Sequence, residues 1–188
     1  MDICFAISAT SIDSNEIFQK MKDTINAIID KYGISKIHVS LLVFGDNADR
    51  KINFKDKFRS SENLKSYIKL IPKRSGGPEL HVALQEGIFL FKSEEGARPG
   101  VKRVFVVMID KKSVSTAEQI KRASLALSKN NISVVTVGIG DAVDQKELKF
   151  ASTDGMNVIT VSKDQEPKIL ADKIILKARK GTCDHNLS

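Results

Sequence analysis

Histidine and cysteine often carry nucleophilic catalysis or bind metal ions in proteins, and this 188-residue chain has three histidines and two cysteines. His38 lies within a predicted strand, His81 opens a predicted helix, and His185 lies in a polar tail. The sequence places no obvious serine, cysteine or carboxylate partner beside any of them. Cys4 lies in an apolar run and is predicted to be a buried, inert thiol, while Cys183 lies in the tail. Two cysteines cannot form a disulfide framework or a zinc site by themselves.

Glycine-rich phosphate-binding motifs are also missing from the sequence. No Gly-x-Gly-x-x-Gly follows the first predicted strand, and no Gly-x-x-x-x-Gly-Lys-Ser/Thr occurs. Gly138-Ile139-Gly140 is too short for either motif and is predicted to be a tight turn. An enzyme of this fold class would need to bind a nucleotide or phosphate at Ser8 to Ser11. Because the sequence has no phosphate-binding motif there, we do not expect catalysis.

The hydrophobic pattern alternates between short strands and amphipathic helices along the chain. The predicted strands are Ile3–Ile7, Ile37–Phe44, Lys51–Phe54, Lys102–Asp110, Ile132–Val137 and Val158–Val161. The predicted helices are Ser14–Tyr32, Ser61–Ile71, Leu80–Phe91, Thr116–Lys129, Asp144–Ala151 and Pro167–Arg179. This alternation implies right-handed crossovers and a mostly parallel sheet with helices on both faces. The sequence therefore predicts a doubly wound α/β domain.

Ligands of such domains bind beyond the carboxyl ends of the strands, where the strand order reverses. The loops predicted to lie there are Ser8–Ser14, Gly45–Asp49, Ser75–Glu79, Asp110–Ser115 and Gly138–Asp144. A functional site is expected among these loops.

Five short segments in a fixed order carry a family pattern. The first is Asp2-Ile3-Cys4-Phe5-Ala6-Ile7 followed by Ser8-Ala9-Thr10-Ser11-Ile12. The others are Val39–Gly45, Gly76-Gly77 with Ala83-Leu84, Val104–Asp110, and Val134–Asp141 with Glu147-Leu148 and Ala151. Over residues 2–180 the chain resembles a von Willebrand factor A domain of the matrix and adhesion type, similar to those of type VI collagen and matrilins. The resemblance implies a Rossmann-like three-layer sandwich with a mostly parallel six-stranded sheet and one antiparallel edge strand.

The resemblance also implies a metal-ion-dependent adhesion site. Its five ligand positions fall on Ser8, Thr10, Ile12, Pro78 and Asp110. Only Asp110 and the Thr10 hydroxyl keep suitable oxygen chemistry, whereas magnesium usually needs near-octahedral oxygen coordination with one or two carboxylates. With about 1 kcal/mol or more lost per changed contact, three changes of five should lower the affinity by several decades. We predict an empty or nearly empty site, with no bound metal or cofactor.

Two alternatives bear on that prediction. Asp13, Asp46 and Asp141 lie in neighbouring loops and could rescue metal binding with a different geometry. Asp110 could instead be a structural cap, with its carboxylate held by backbone N–H groups or by the hydroxyls of Ser8 and Thr10.

The positive charge is concentrated between Arg50 and Arg74, which we call the basic segment. Its basic residues are Arg50, Lys51, Lys55, Lys57, Arg59, Lys65, Lys69, Lys73 and Arg74, and its acidic residues are Asp56 and Glu62. The segment therefore carries a formal charge of +7, which equals that of the whole chain. Such clustering suits a sulfated glycosaminoglycan, an acidic protein or an anionic membrane surface. The alternative is a solvated lysine-rich edge that discourages association between sheets.

Nucleic acid is not an expected partner. The sequence contains no recognised nucleic-acid-binding module, and stacking on bases requires exposed aromatic side chains. Phe54, Phe58 and Tyr67, the aromatic residues among these charges, are expected to point inward.

The overall composition, with 41% hydrophobic and 28% charged residues, is that of a globular domain. The apolar runs are far shorter than the roughly 20 residues that span a membrane. No secretion signal is visible, and the chain, which begins Met1-Asp2-Ile3-Cys4-Phe5, opens inside a predicted strand, which indicates a domain of a longer protein. We predict one domain over residues 1–181 and a polar tail over residues 182–188.

We therefore expect a non-catalytic, metal-independent interaction or assembly module of an extracellular matrix or cell-adhesion protein. It would be secreted as part of a larger multidomain protein, with a matrix or cell-surface protein as its partner. The alternative is an intracellular scaffold domain in a multiprotein complex. A signal peptide and flanking cysteine-rich or collagenous modules would support the first interpretation.

Overall fold

The computed structural model describes residues 1–8, 15–73 and 76–180. In this part of the chain the strands are β1 (Asp2–Ser8), β2 (His38–Phe44), β3 (Ala48–Ile52), β4 (Arg103–Ile109), β5 (Ile132–Ile139) and β6 (Val158–Val161). They form one sheet in the order β3-β2-β1-β4-β5-β6. Among these strands, β2 and β3 are the only antiparallel pair. This arrangement confirms the predicted mostly parallel six-stranded sheet with an antiparallel edge strand.

Helices cover both faces of the sheet. They are α1 (Asn15–Tyr32), α2 (Ser61–Leu70), α3 (Leu80–Leu90), α4 (Ala117–Lys129), α5 (Gln145–Ala151) and α6 (Pro167–Lys180). Single 3-10 turns lie at Ser93–Glu95 and Thr153–Gly155. Helices α1, α2 and α6 pack on one face, and α3, α4 and α5 pack on the other. The predicted three-layer sandwich is therefore confirmed.

Burial of β1 on both faces explains its uninterrupted apolar sequence. Successive side chains of a strand point to opposite faces, so Ile3, Phe5 and Ile7 pack in one core and Cys4 and Ala6 in the other. Cys4 is a free, fully buried thiol, as predicted. Its burial raises the pKa of the thiol, which keeps the sulfur protonated and unreactive.

The first helix ends where the sequence predicts. Its buried stripe includes Ile17, Met21 and Ile25, which follow the helical repeat. Gly33 has a φ of 68°, and its backbone N–H donates to the carbonyl of Ile29 at 2.8 Å. This is the left-handed C-terminal stop that favours glycine.

The edge strand β3 starts three residues and ends two residues earlier than predicted. It spans Ala48–Ile52 instead of Lys51–Phe54, so Phe54 lies beyond the end of the strand. The Phe54 ring is buried instead between Phe91, at a centroid distance of 5.1 Å, and His38, at 5.4 Å. The apolar residue that suggested a strand end is therefore a core residue of the following loop.

The prediction of a tight turn over residues 138–140 is also wrong in part. Gly138 and Ile139 continue β5, and the chain turns only at Gly140, where φ is 89°. A side chain at position 138 would place its Cβ 2.8 Å from Leu148. Gly138 therefore lets α5 approach the sheet closely, and it does not form a turn.

The start of β1 and the end of α6 meet at the amino-terminal edge of the sheet. The Asp2 backbone N–H donates to the carbonyl of Lys102 at 2.8 Å. The Lys102 ammonium in turn donates to the carbonyl of Arg179 at 3.1 Å. The predicted polar tail over residues 182–188 lies outside the described residues. None of the described helices has the length and apolar character needed to cross a membrane.

Candidate functional site

Ser8 and Asp110 lie side by side at the carboxyl ends of β1 and β4, the neighbouring strands at which the chain order reverses. The Ser8 hydroxyl donates a 2.9 Å hydrogen bond to Asp110 Oδ1. Both side chains are buried, and Asp110 is only 7% exposed. A hydrogen bond to a buried carboxylate is among the stronger ones in proteins. This contact brings two of the five sequence-predicted ligand positions together.

Pro78, the third described ligand position, has no side-chain oxygen that could bind a metal ion beside Ser8 and Asp110. Its carbonyl oxygen accepts hydrogen bonds from Ser113 Oγ at 2.7 Å and from the Val114 backbone N–H at 3.2 Å. The carbonyl is therefore engaged by the loop that follows β4. Thr10 and Ile12, the remaining ligand positions, lie outside the described residues.

Asp46 lies on the loop after β2 and is engaged by the glycine pair. Its Oδ1 accepts a 2.7 Å hydrogen bond from the Gly77 backbone N–H. Gly76 has a φ of 117°, and a Cβ there would lie 2.6 Å from both Asp46 oxygens. Glycine is therefore required at position 76. Of the other alternative carboxylates, Asp141 is exposed on the loop after β5, and Asp13 lies outside the described residues.

The described donor set does not fit a magnesium ion. At the described ligand positions the side chains supply one carboxylate and one hydroxyl, and that hydroxyl donates its proton to the carboxylate. Within residues 1–8, 15–73 and 76–180, no group of three or more His, Cys, Asp and Glu side chains could hold a metal ion. Magnesium prefers near-ideal octahedral coordination by oxygen lone pairs.

Ser113 holds the site loops together and was not identified from the sequence. Its hydroxyl oxygen accepts hydrogen bonds from the backbone N–H groups of Leu80, at 3.1 Å, and Ser115, at 3.0 Å. Its own hydroxyl donates to the carbonyl of Pro78. Ser113 thereby caps α3, whose N-cap residue Glu79 makes no side-chain capping bond. No sequence pattern signals a cap supplied from 33 residues away.

His81 has partners that the sequence did not reveal. Its Nδ1 lies 2.8 Å from Ser115 Oγ, and its Nε2 lies 3.9 Å from Glu79 Oε2. The expectation that no serine or carboxylate lies beside the histidines is therefore wrong for His81, and it is wrong for His38 as well, whose Nδ1 lies 3.9 Å from Asp2 Oδ1. Ser115 Oγ also accepts the His81 backbone N–H at 3.2 Å and is buried. The contact thus serves as a second cap of α3.

The buried carboxylate of Glu147 holds the loop that follows β4 in place. Glu147 of α5 accepts a 2.8 Å hydrogen bond from the Ser113 backbone N–H. Burial raises the pKa of Glu147, and the hydrogen bond from Ser113 opposes that shift. The loop carrying Asp110 is therefore fixed from two sides, by α3 and by α5.

The basic segment is partly neutralised in the fold. Of its eight described basic residues, four form ion pairs: Arg50 with Glu86 and Glu95, Lys51 with Asp49, Lys55 with Glu95, and Lys65 with Asp30 and Glu62. The other four, Lys57, Arg59, Lys69 and Lys73, form no ion pair with another described residue. Arg74 lies outside the described residues. Most of the neutralising carboxylates come from outside the segment, so its local charge overstates the surface charge.

The aromatic side chains of the basic segment differ from expectation in one case. Phe54 is buried, as predicted, and Phe58 is half-buried. Tyr67 is 44% exposed, so its predicted inward orientation is wrong. Its hydroxyl donates to the carbonyl of Lys51 at 3.2 Å, and this bond holds the ring at the surface beside β3.

Comparison with known proteins identifies the family. The family model of the von Willebrand factor type A domain, compared with this sequence, matches residues 2–172. The collagen alpha-6(VI) chain of Homo sapiens is 25% identical over 158 residues, which cover 81% of this chain and 7% of that protein. Matrilin-1 of Gallus gallus is 24% identical over 155 residues, covering 81% of this chain and 31% of matrilin-1. The chain thus spans less than a third of the length of these relatives.

Solved structures share the fold. Proximal thread matrix protein 1 from the mussel byssus superimposes with a TM-score of 0.84 at 24% identity, covering 94% of this chain and 47% of that one. A further structure of the same byssus protein, with a zinc-occupied MIDAS motif, has a TM-score of 0.83. These likenesses agree with the sheet order and with the two helical layers. Because the family model covers nearly all of the described residues, the chain belongs to the von Willebrand factor type A domain family.

Proposed function

We propose that this chain is a non-catalytic protein-interaction module of an extracellular matrix or cell-adhesion protein. It would be secreted as part of a larger multidomain protein and would bind a matrix or cell-surface protein. The similarity to collagen VI chains and matrilin-1 supports this assignment. The chain covers only 7% of the collagen VI relative, which is consistent with one module among many.

We further propose that the module recognises its partner without a divalent ion. The observation that carries this proposal is the hydrogen bond from Ser8 Oγ to Asp110 Oδ1. A metal-binding hydroxyl would direct a lone pair at the ion, and the carboxylate oxygen would do the same. Here the Ser8 hydroxyl donates to the Asp110 carboxylate, so the contact links the ends of β1 and β4 directly. Recognition would then rely on shape and on fixed side-chain charges.

The reactive side chains of the described residues support a non-catalytic role. Cys4 is buried, and its pKa is raised by that burial. Ser115, the serine beside His81, is buried, and its oxygen accepts the backbone N–H of the helix it caps. Neither group is presented to a substrate as a nucleophile requires.

Calorimetric titration of the 188-residue chain with Mg²⁺, Mn²⁺ and Zn²⁺ tests the metal-independent part. We expect no saturable heat up to about 1 mM metal, a level at which binding would be worth only about 4 kcal/mol. Micromolar binding that disappears in Asp110→Ala would overturn the proposal.

Solid-phase binding tests the interaction role. The chain is assayed against purified fibrillar collagen, fibronectin and laminin, in EDTA and in Mg²⁺. We expect saturable binding to at least one of them, with the same affinity in both buffers. Binding to none of them would count against the interaction role, and binding that requires Mg²⁺ would count against metal independence.

A further inference from the structure

A cavity of about 550 Å³ opens at the amino-terminal edge of the sheet. We call it the amino-edge cavity. Its floor consists of Ile37, Val39, Phe54 and Leu64, all of them buried apolar side chains. Ser8 and Asp110 lie at the opposite, carboxyl ends of the strands. The amino-edge cavity is therefore separate from the family's metal position.

The wall of the cavity is held in place by close backbone packing. Gly96 has a φ of 90°, and a Cβ at that position would lie 2.4 Å from the backbone nitrogen of Lys55. Residues 54 and 55 therefore rest directly on the glycine, which leaves no room for a side chain. The Phe54 ring also packs on Phe91 at 5.1 Å. A wall packed in this way is already formed before a ligand arrives, which lowers the entropic cost of binding.

The rim of the cavity is basic. Lys55 and Lys57 are both exposed and line the opening. Lys55 pairs with Glu95 at 2.9 Å, whereas Lys57 forms no ion pair with another described residue. Asp56, the acidic residue between them, accepts the Asn53 backbone N–H at 2.8 Å. Asp56 keeps its negative charge at the rim. Lys57 and the exposed Arg59, two residues further on, form no ion pair with another described residue, and they are the cations that could pair with an anionic ligand.

The apolar surface continues from the cavity onto α2. Phe58 lines the cavity and is half-buried, and its ring lies 5.8 Å from that of Tyr67. Tyr67 follows Leu64 by one turn of α2, and Leu70, which is 81% exposed, follows Tyr67 by another. We call Tyr67 and Leu70 the α2 patch. An exposed apolar patch next to a concave site and rimmed by charge is typical of a protein-binding surface.

We propose that the amino-edge cavity and the α2 patch bind an acidic segment of a partner protein through an aromatic or aliphatic anchor side chain. The anchor fills the apolar floor, the neighbouring apolar residues of the segment cover the α2 patch, and its carboxylates pair with Lys57 and Arg59. This inference rests on the proposed interaction function and names its binding surface.

Two other anionic ligands match the surface less well. A fatty acid or a similar amphiphile would fill the cavity and leave Tyr67 and Leu70 exposed to water. A sulfated polysaccharide would pair with the basic rim but has no apolar group for the floor. Of these three ligands, the peptide segment is the one that supplies apolar and acidic groups over both parts of the surface.

A peptide titration tests the proposal. The probe is acetyl-Asp-Glu-Phe-Glu-Leu-Asp-amide, and its comparison is acetyl-Lys-Lys-Phe-Lys-Leu-Lys-amide, which keeps the apolar residues and reverses the charge. Each is titrated to about 2 mM into ¹⁵N-labelled chain while amide shifts are recorded. We expect saturable shifts at the cavity and at residues 64–70 with the acidic peptide, and none there with the basic one. Octanoate and a heparin oligosaccharide are titrated in the same way.

A matched pair of variants assigns the surface. Lys57→Glu combined with Leu70→Ser changes one rim cation and one exposed apolar residue. Arg122→Glu combined with Leu125→Ser makes the same two changes on α4, on the opposite face of the sheet. All four residues are exposed, so both variants should fold. We expect the first variant to weaken binding of the acidic peptide about tenfold or more and the second to leave it unchanged.

The outcomes separate the surface from the function. The surface assignment is wrong if the acidic peptide produces no saturable shifts at the cavity, if the basic peptide binds there equally well, or if both double variants behave alike. The surface assignment is also wrong if octanoate or the heparin oligosaccharide, and not the acidic peptide, produces saturable shifts at the cavity. If the wild-type chain still binds a matrix protein in any of these cases, the interaction role survives. Failure to bind every matrix protein would refute the function itself.

Discussion

Glu147 Oε2 accepts a 2.8 Å hydrogen bond from the backbone N–H of Ser113, and this contact joins α5 to the loop that carries Asp110. The Glu147 side chain is buried, so its negative charge is removed from water within a packed layer. One backbone N–H compensates only part of that loss. The pKa of Glu147 is therefore raised, with burial as its largest cause.

The raised pKa predicts a pH-dependent stability difference between the wild type and Glu147→Gln. In the window between the unfolded pKa and the higher folded pKa, the folded protein binds more protons at Glu147 than the unfolded one does. The free energy of unfolding of the wild type should therefore fall relative to that of the variant as pH rises through this window. Urea unfolding between about pH 4 and about pH 8 measures the difference. A difference independent of pH would contradict the prediction.

Ser8→Ala should destabilise the fold regardless of metal. The variant loses a hydrogen bond to a buried carboxylate, for which we expect about 1.5–3 kcal/mol of unfolding free energy. Ser66→Ala, which removes an exposed hydroxyl of α2, is the control and should stay within about 0.5 kcal/mol of the wild type. Urea unfolding in EDTA and in Mg²⁺ should give the same loss. A loss seen only in Mg²⁺ would show that an ion, and not the hydrogen bond, links the two strands.

Restoring the family's ligand types should create a metal response. The triple variant Ser8→Asp, Ile12→Ser, Pro78→Thr supplies a second carboxylate and two hydroxyls. Without metal it should unfold at a lower temperature than the wild type, because the carboxylates at positions 8 and 110 repel each other. Mg²⁺ should raise its unfolding temperature and leave that of the wild type unchanged. Adding Asp110→Asn should abolish the response, and an equal response in the wild type would refute the prediction.

Lys22→Met should weaken the end of α2. The buried Lys22 ammonium donates to the carbonyls of Lys69, at 2.9 Å, and Ile71, at 3.2 Å. These are among the last carbonyls of the helix, where a cation is favourable. We expect a loss of about 2 kcal/mol of unfolding free energy and faster amide exchange over residues 68–71. Lys69→Met removes a neighbouring exposed cation and should change stability by less than about 0.5 kcal/mol, so equal losses in the two variants would contradict this assignment.

The sequence predicts the fold well wherever burial dictates the pattern. Strand β1 is apolar at nearly every position because helices cover both its faces, and α1 repeats Ile17, Met21 and Ile25 along its buried stripe. Strand β3 lies at the sheet edge, where Asp49, Arg50 and Lys51 interrupt the pattern. An exposed edge needs no hydrophobic alternation, so the sequence does not mark where this strand begins and ends.

The site is less predictable because its contacts join distant parts of the chain. Nothing in the local sequence shows that Ser113 caps a helix that begins 33 residues earlier. The local sequence of the basic segment likewise does not show its neutralisation, because Arg50 pairs with Glu86 and Glu95, which lie about 40 residues further along the chain. The resemblance supplied the ligand positions Ser8 and Asp110, and the structure adds the hydrogen bond that joins them.

The meeting of Asp2, Lys102 and Arg179 at one edge of the sheet has a mechanical consequence. A pulling force applied through the chain before β1 and after α6 would enter the domain at neighbouring points. It would detach α6 from its end, one turn after another, before it could shear the buried pairing of β1 with β2 and β4. Under such a load the domain would lengthen by releasing its last helix while its central strands stay paired.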